Sequence, residues 1–371
     1  MIQVAHLLWW LGPWSSTASK PNGVVRRRVV VPPSGPGERA FDGWYYLPER
    51  GEVRGAYLIV PGLHHLGASD PRLDRFCRIL TASGIAAFSP YIGDYQDHMV
   101  TWRAAEETRR AFRHMRTLPG QPATRPGIWS ISLGSLLAFS VAGDPELADQ
   151  VGGLFCFGGY ASWDETIRFA VTGRDAHGHL VPRDPLNQPA VYMNLFEGLE
   201  GTPEDPRALF TAWRRYMRAT WGNPDFRAGN GHLEVARAIA PSLPADQREL
   251  FLAGCGDGPR NQERALEALD RCPPGSFDHC DPMPHIANLR CPVHIMHASE
   301  DPVIPLDQQA QLVEAMPPGL PVHTYTTGLF GHTDTDASVL HPRRLREAFD
   351  EVATMLRMVE ALAEAADDVG R

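Results

Sequence analysis

Residues 127–135, GIWSISLGS, carry serines at 130, 132 and 135. A serine hydroxyl is a weak nucleophile near neutral pH unless a base takes its proton and the backbone holds it out toward a substrate. A strand that turns abruptly into a helix does the second job, because the apex residue is forced into a strained conformation at the edge of the sheet. Strand and helix crowd each other there, so the residues two before and two after the apex must be small. Ser130 would be flanked by Ile128 and Ser132, and Ser135 by Leu133 and Leu137. Ser132 is flanked by Ser130 and Gly134, both small. The steric rule selects Ser132.

A base and a group to orient it are sought further along. His332, in LFGHTDTD, follows the last expected strand, late in the chain. A loop histidine is more often a solvated surface residue, but this one stands where it could reach back to the sheet edge. Asp301, in HASEDPVIP, comes directly after the strand-like run CPVHIMHA. A carboxylate there can fix the imidazole tautomer and stabilise its charged form, although Asp-Pro is also an ordinary turn. Glu300 is the adjacent rival, and alternation along a strand allows only one of the two to face the site. PGLHHLG after AYLIV is a candidate oxyanion turn, with the backbone N–H of Leu63 beside that of Leu133. His64 and its neighbour His65 fit the polar lining of a mouth better than a metal site or a base.

These residues need a scaffold. Three β-rich runs open the chain, from Val25, Phe41 and Ala56, and the third is continuously apolar, as in a strand buried on both faces. DPRLDRFCRILTASG places Leu73, Phe76, Cys77 and Leu80 on one helix face, and IAAFSP is the next strand. TWRAAEETRRAFRHMRTL is an amphipathic helix whose apolar side is expected to include Trp102, Ala105, Phe112 and Met115. Strand GIWSIS, helix LGSLLAFSVAG and strand VGGLFCFGGY follow. This alternation predicts an α/β fold with a mostly parallel, doubly wound sheet. From 162 to 284 the pattern turns helical, and the sheet resumes with CPVHIMHA, a helix over 308–316, PVHTYTTG and a long final helix.

Composition narrows the function. A formal charge of -9 opposes non-specific nucleic-acid binding, which needs a basic surface. No apolar run approaches the roughly 18 residues of a membrane span. No Lys or Arg precedes the apolar start MIQVAHLLWWLG, so it reads as an ordered helix or surface anchor rather than a secretory signal. The six scattered cysteines fit reduced thiols and a cytoplasmic location. Cys272, His279, Cys280 and His285 lack C-x-x-C spacing, so neither a metal nor a cofactor is expected.

In order, AYLIVPGLHH, SISLGS, HASEDPVIP and FGHTD resemble the α/β-hydrolase family, a serine-nucleophile, capped member, over most of the chain. The resemblance implies Ser132 as nucleophile, Asp301 as acid and His332 as base, with Leu63 and Leu133 forming the oxyanion hole. It also implies an N-terminal extension over 1–24, a core in two parts (25–161 and 285–371) and a helical cap over 162–284, inserted between two late strands. Two departures are Ser130 where the family usually has Gly, and Pro61-Gly62 where it usually has His-Gly; neither removes a reacting group. The implied activity is hydrolysis of a small-molecule carboxylic ester through an acyl-enzyme. Acyl transfer, thioester or carbon–carbon bond hydrolysis and a catalytically silent binding protein are the alternatives. Cap aromatics, Trp163 and Tyr192 among them, are expected with His64 to contact the substrate, although many such residues will pack the cap itself. Homodimerisation is left open.

Overall fold

The computed structural model describes residues 2–12, 15–227, 229–328 and 345–364. Helix α1 (Ile2–Leu11) precedes two antiparallel strands, β1 (Val24–Val31) and β2 (Phe41–Pro48). Then come β3 (Gly55–Val60), α2 (Pro71–Ala82), β4 (Ile85–Pro90), α3 (Trp102–Met115), β5 (Gly127–Ile131), α4 (Gly134–Ala142) and β6 (Leu154–Phe157). The sheet resumes at β7 (Val293–Ala298), followed by α5 (Asp307–Ala315), β8 (Val322–Thr327) and α6 (Leu345–Glu364). The eight strands form one sheet in the order β1-β2-β4-β3-β5-β6-β7-β8. Only β2 runs against its neighbours; β3 to β8 are parallel. The fold class expected from the alternation is the one observed.

Burial explains the arrangement. Every residue of β3, β4 and β6 is buried, as apolar strands covered on both faces must be. β1 carries Arg26, Arg27 and Arg28 at the sheet margin, where charge suits an edge strand. Ile128 of β5 faces one apolar layer, beneath α3 and α4. Trp129, Phe155, Phe157, Tyr57 and Ile59 face the other, with Leu7 of α1, Leu80 of α2 and Leu362 of α6. In α3 the buried residues are Ala104, Thr108, Arg110, Ala111, Phe112 and Met115. Trp102 departs from expectation: it is 68% exposed. It lies two residues before Ala104, about 200° round the helix, so the periodicity that buries Ala104 turns it to water.

Between β6 and β7 the chain passes through a series of helices, beginning with Trp163–Thr172 and including Arg207–Thr220 and Asn261–Arg271. Despite this excursion, β6 and β7 are direct neighbours, Phe157 opposite Met296. The Gln308 side chain pins the departure point: its Oε1 accepts the N–H groups of Ala161 and Ser162 at 3.0 and 2.9 Å.

Candidate active site

Ser132 has φ of +55°, one of only two positive values among the described non-glycine residues. The left-handed region costs an L-residue with a Cβ about 1 kcal/mol or more, so the neighbours must impose it. The N–H of Ser132 donates to the Phe157 carbonyl at 2.8 Å, and its own carbonyl accepts the Ser135 N–H at 2.9 Å. Strand β5 therefore ends on β6 while α4 begins. An added Cβ on Gly134 would lie 2.6 Å from the Pro61 carbonyl oxygen, and one on Gly62 would lie 3.3 Å from the Ser132 Cβ. The small residue two places after the apex is thus required by the turn that follows β3. Ser130, two places before it, is fully buried and its hydroxyl donates to the Phe155 carbonyl at 3.1 Å.

That same β3 turn brings Leu63 toward Ser132. Among the described residues the N–H groups of Leu63 and Leu133 have no acceptor, which is the condition of a donor kept for a ligand. The Tyr95 hydroxyl donates to the Leu133 carbonyl at 2.9 Å and fixes that peptide. No sequence motif marked Tyr95. Its role depends on the loop after β4 folding over the start of α4.

Asp301 lies past the carboxyl end of β7, is 2% exposed, and accepts the N–H groups of Val303 and Ile304 on Oδ1 at 2.8 and 3.0 Å. Its Oδ2 lies 3.8 Å from Nε2 of His297. Glu300 is exposed. At the end of β8, the Thr327 hydroxyl and the Gly328 N–H both donate to the Glu351 carboxylate of α6, at 2.7 and 2.6 Å. The strand that leads toward His332 is therefore anchored to α6. His332 itself lies outside the described residues.

A cavity of about 730 Å³ is lined by Ser132, Gly62, Leu63 and His64. It continues over Phe76, Trp129, Phe157, Met296 and Met358, on the sheet face covered by α2 and α6. Phe76 and Trp129 pack with ring centres 4.4 Å apart. His64 stacks between His65 at 4.4 Å and Trp221 at 5.6 Å. Its Nδ1 accepts the Leu66 N–H at 3.2 Å, so the ring is neutral with the proton on Nε2. Burial pulls its pKa down to about 4, against the opposing pull of Asp70. The imidazole at the cavity wall is thus uncharged over the neutral range.

The structure does not bring Trp163 or Tyr192 to this wall. Trp163 is buried against Tyr160 and Phe277, with ring centres 6.2 and 6.0 Å away. Tyr192 is fully buried, edge-on to Trp213 at 6.0 Å, and its hydroxyl donates to the Asn261 carbonyl. Both pack the interior of the helical layer, because large aromatics on short helices are the residues available to build its core. The aromatic that this layer does present is Trp221. It follows the helix Arg207–Thr220, where periodicity gives no facing.

Among the described residues, no group of three or more His, Cys, Asp and Glu side chains could hold a metal ion. All six cysteines are unpaired, and all but Cys272 are buried. No described helix is long and apolar enough to cross a membrane.

No family model and no curated protein matches the sequence. In three dimensions the chain is similar to the Pyrococcus horikoshii acylaminoacyl peptidase, with a TM-score of 0.50 and 13% identity over 95% of this chain and 43% of that one. It is also similar to a Mycobacterium tuberculosis puromycin-hydrolyzing peptidase (TM-score 0.46, 14% identity, 93% of this chain and 39% of that one). A third likeness is the 2,6-dihydroxy-pseudo-oxynicotine hydrolase (TM-score 0.45, 13% identity, 92% and 68%). The chain spans less than half the length of the first two. The sheet order and the first of these likenesses define the class: this is a protein of the α/β-hydrolase fold.

Proposed function

We propose that the chain is a serine hydrolase acting on a small-molecule carboxylic ester. The observation that carries the reading is the φ of +55° at Ser132, held at the junction of β5 and α4 beside a cavity. The neighbours impose this strain, and a residue held out at such a turn is what a serine nucleophile needs.

In this reading His332 takes the proton of Ser132 as Oγ attacks the substrate carbonyl carbon. Asp301 holds the imidazole and stabilises its positive charge. The negative charge that develops on the carbonyl oxygen is met by the N–H groups of Leu63 and Leu133. His332 then gives the proton to the departing alkoxide, leaving an acyl ester on Ser132. A water molecule that loses its proton to the same histidine attacks that ester, releasing the acid and the free serine. His64 lends its Nε2–H to the bound substrate. Residues 162–284 act as the cap and 25–161 with 285–371 as the core, with 1–24 as an extension that packs on it. The position of Trp221 on the cavity wall supports a substrate-facing cap.

The test is an activated fluorophosphonate, which forms a stable adduct with a serine that has a base. Peptide mapping should place the adduct on Ser132. Folded protein that stays unlabelled, or is labelled at another serine, would overturn the assignment.

A further inference from the structure

Four cationic side chains line the cavity, those of Lys20, Arg72, Arg75 and Arg227. Three have carboxylate partners: Lys20 Nζ is 2.6 Å from Asp74, Arg72 Nη2 is 2.7 Å from Asp70, and Arg227 Nε is 3.0 Å from Asp184. Arg75 differs. Its Nε donates to the Ser19 carbonyl at 2.9 Å, and its Nη2 donates to the Trp10 carbonyl at 2.7 Å and to the Ser15 hydroxyl at 3.0 Å. All three acceptors are neutral. Among the described residues Nη1 has no acceptor, and no carboxylate lies within ion-pair distance. Burial accordingly lowers the pKa of this guanidinium, with nothing opposing it. A partly desolvated charge of this kind is stabilised most by an anion brought to it, and a guanidinium fork matches a carboxylate.

Position fits a substrate rather than a stray ion. Asp70 caps α2 close to the turn that carries Gly62 and His64, and Arg75 lies five residues further along, about 7 Å down the axis. The wall beside it is apolar, formed by Leu73, Phe76 and Trp129. We infer that Arg75 receives a carboxylate carried by the substrate several bonds from its scissile carbonyl. The cavity would then select an ester with an apolar middle and an anionic far end. This rests on Ser132 being the nucleophile.

The alternative role for Arg75 is to clamp residues 10–19 to α2, and the experiment separates the two. Mono-p-nitrophenyl esters of glutaric, adipic and suberic acid are compared with p-nitrophenyl esters of methyl-terminated chains of matching length. Wild-type protein should prefer at least one half-ester over its neutral counterpart by about tenfold in kcat/KM, mostly through KM. Arg75→Gln keeps a donor for the clamp but loses the charge, and should abolish the preference while leaving neutral-ester turnover within about threefold. A purely structural Arg75 would lower both substrates together, and that result, or no preference in the wild type, overturns the inference. Should Arg75→Gln fail to fold, Arg75→Lys takes its place, with part of the preference expected to survive. Calorimetric titration of suberate into wild-type and Arg75 variant protein reads the same site without turnover. Binding weakened about tenfold in the variant, in a protein that cleaves no ester, would retain the anion site and reject the nucleophile. Equal binding by both proteins would reject the anion site.

Discussion

Gly134 and Pro61 meet so closely that a Cβ on the first would stand 2.6 Å from the carbonyl oxygen of the second. Two separate connections, after β3 and after β5, converge on that contact, and Ser132 is held between them. Gly134→Val should therefore force one connection to move. The expected outcome is loss of most ester hydrolysis and a fall in stability of about 2 kcal/mol, read by urea denaturation alongside initial rates. Wild-type rates in a folded Gly134→Val protein would show that the contact is not needed.

Ser130 tests the same turn from its other side. Its hydroxyl is buried and bonded to Phe155, so Ser130→Ala should cost about 1 kcal/mol of stability yet leave most activity. Ser132→Ala should abolish p-nitrophenyl ester hydrolysis with little change in stability, and relief of the positive φ strain is not expected because alanine retains the Cβ. Equal loss in both folded variants would move the nucleophile to Ser130.

Glu351 accepts from both Thr327 and Gly328, where β8 ends. Glu351→Gln keeps one acceptor but loses the charge, and Glu351→Ala loses both. Stability should fall in the order wild type, Gln, Ala, by about 2 kcal/mol at the extreme. If β8 positions the base, kcat should fall in that order too, with KM nearly constant. A change in KM alone would assign Glu351 to substrate binding instead.

Three buried histidines make stability depend on pH. Burial pulls the pKa of His64 and of His294 down to about 4, and that of His98 down to about 3. In the unfolded chain each titrates near 6.5, so near pH 5 unfolding takes up about one proton per histidine. Their contribution is fully present above pH 6.5 and is lost as pH falls through 4 toward 3. The urea midpoint should therefore be lower at pH 5 than at 7.5. His294→Phe should reduce the difference, since Phe155 stacks 4.4 Å from that ring and would accept a phenyl neighbour. A midpoint independent of pH in both proteins would contradict this.

What could be read from the sequence followed the range of the forces involved. Buried parallel strands are written locally as apolar runs, which is why IAAFSP and AYLIV mapped directly onto β4 and β3. The sharp turn from β5 into α4, with its positive φ at Ser132, was legible because its steric rule spans only five residues. Asp301 is buried and Glu300 exposed, but strand alternation is not the cause: β7 ends at Ala298, both residues lie in the turn beyond it, and Asp301 is turned inward by the N–H groups of Val303 and Ile304. Trp102 was misplaced because a helix period read from apolar residues has no fixed origin at the first turn. Trp163 and Tyr192 were misplaced for a different reason: composition reports aromatics but not which way short helices turn them. Tyr95 and Arg75 left no signal at all, because their partners, Leu133 and residues 10–19, are remote in sequence.

The placement of β7 beside β6 also sets an order of events. The joints of β3 with β4 and of β5 with β6 each close over one helix and its loops, and that of β3 with β5 over α2, β4 and α3, but the joint of Phe157 with Met296 must wait for the whole helical layer to be gathered. Loop closure grows costlier with contour length, so pairings distant along the chain form late. Ser132 stands on one side of that joint and Asp301 on the other. A nascent or partly refolded chain can therefore own its serine turn well before Asp301 is in place, and, if the two act together as proposed, ester hydrolysis should appear only when that last seam of the sheet is sewn.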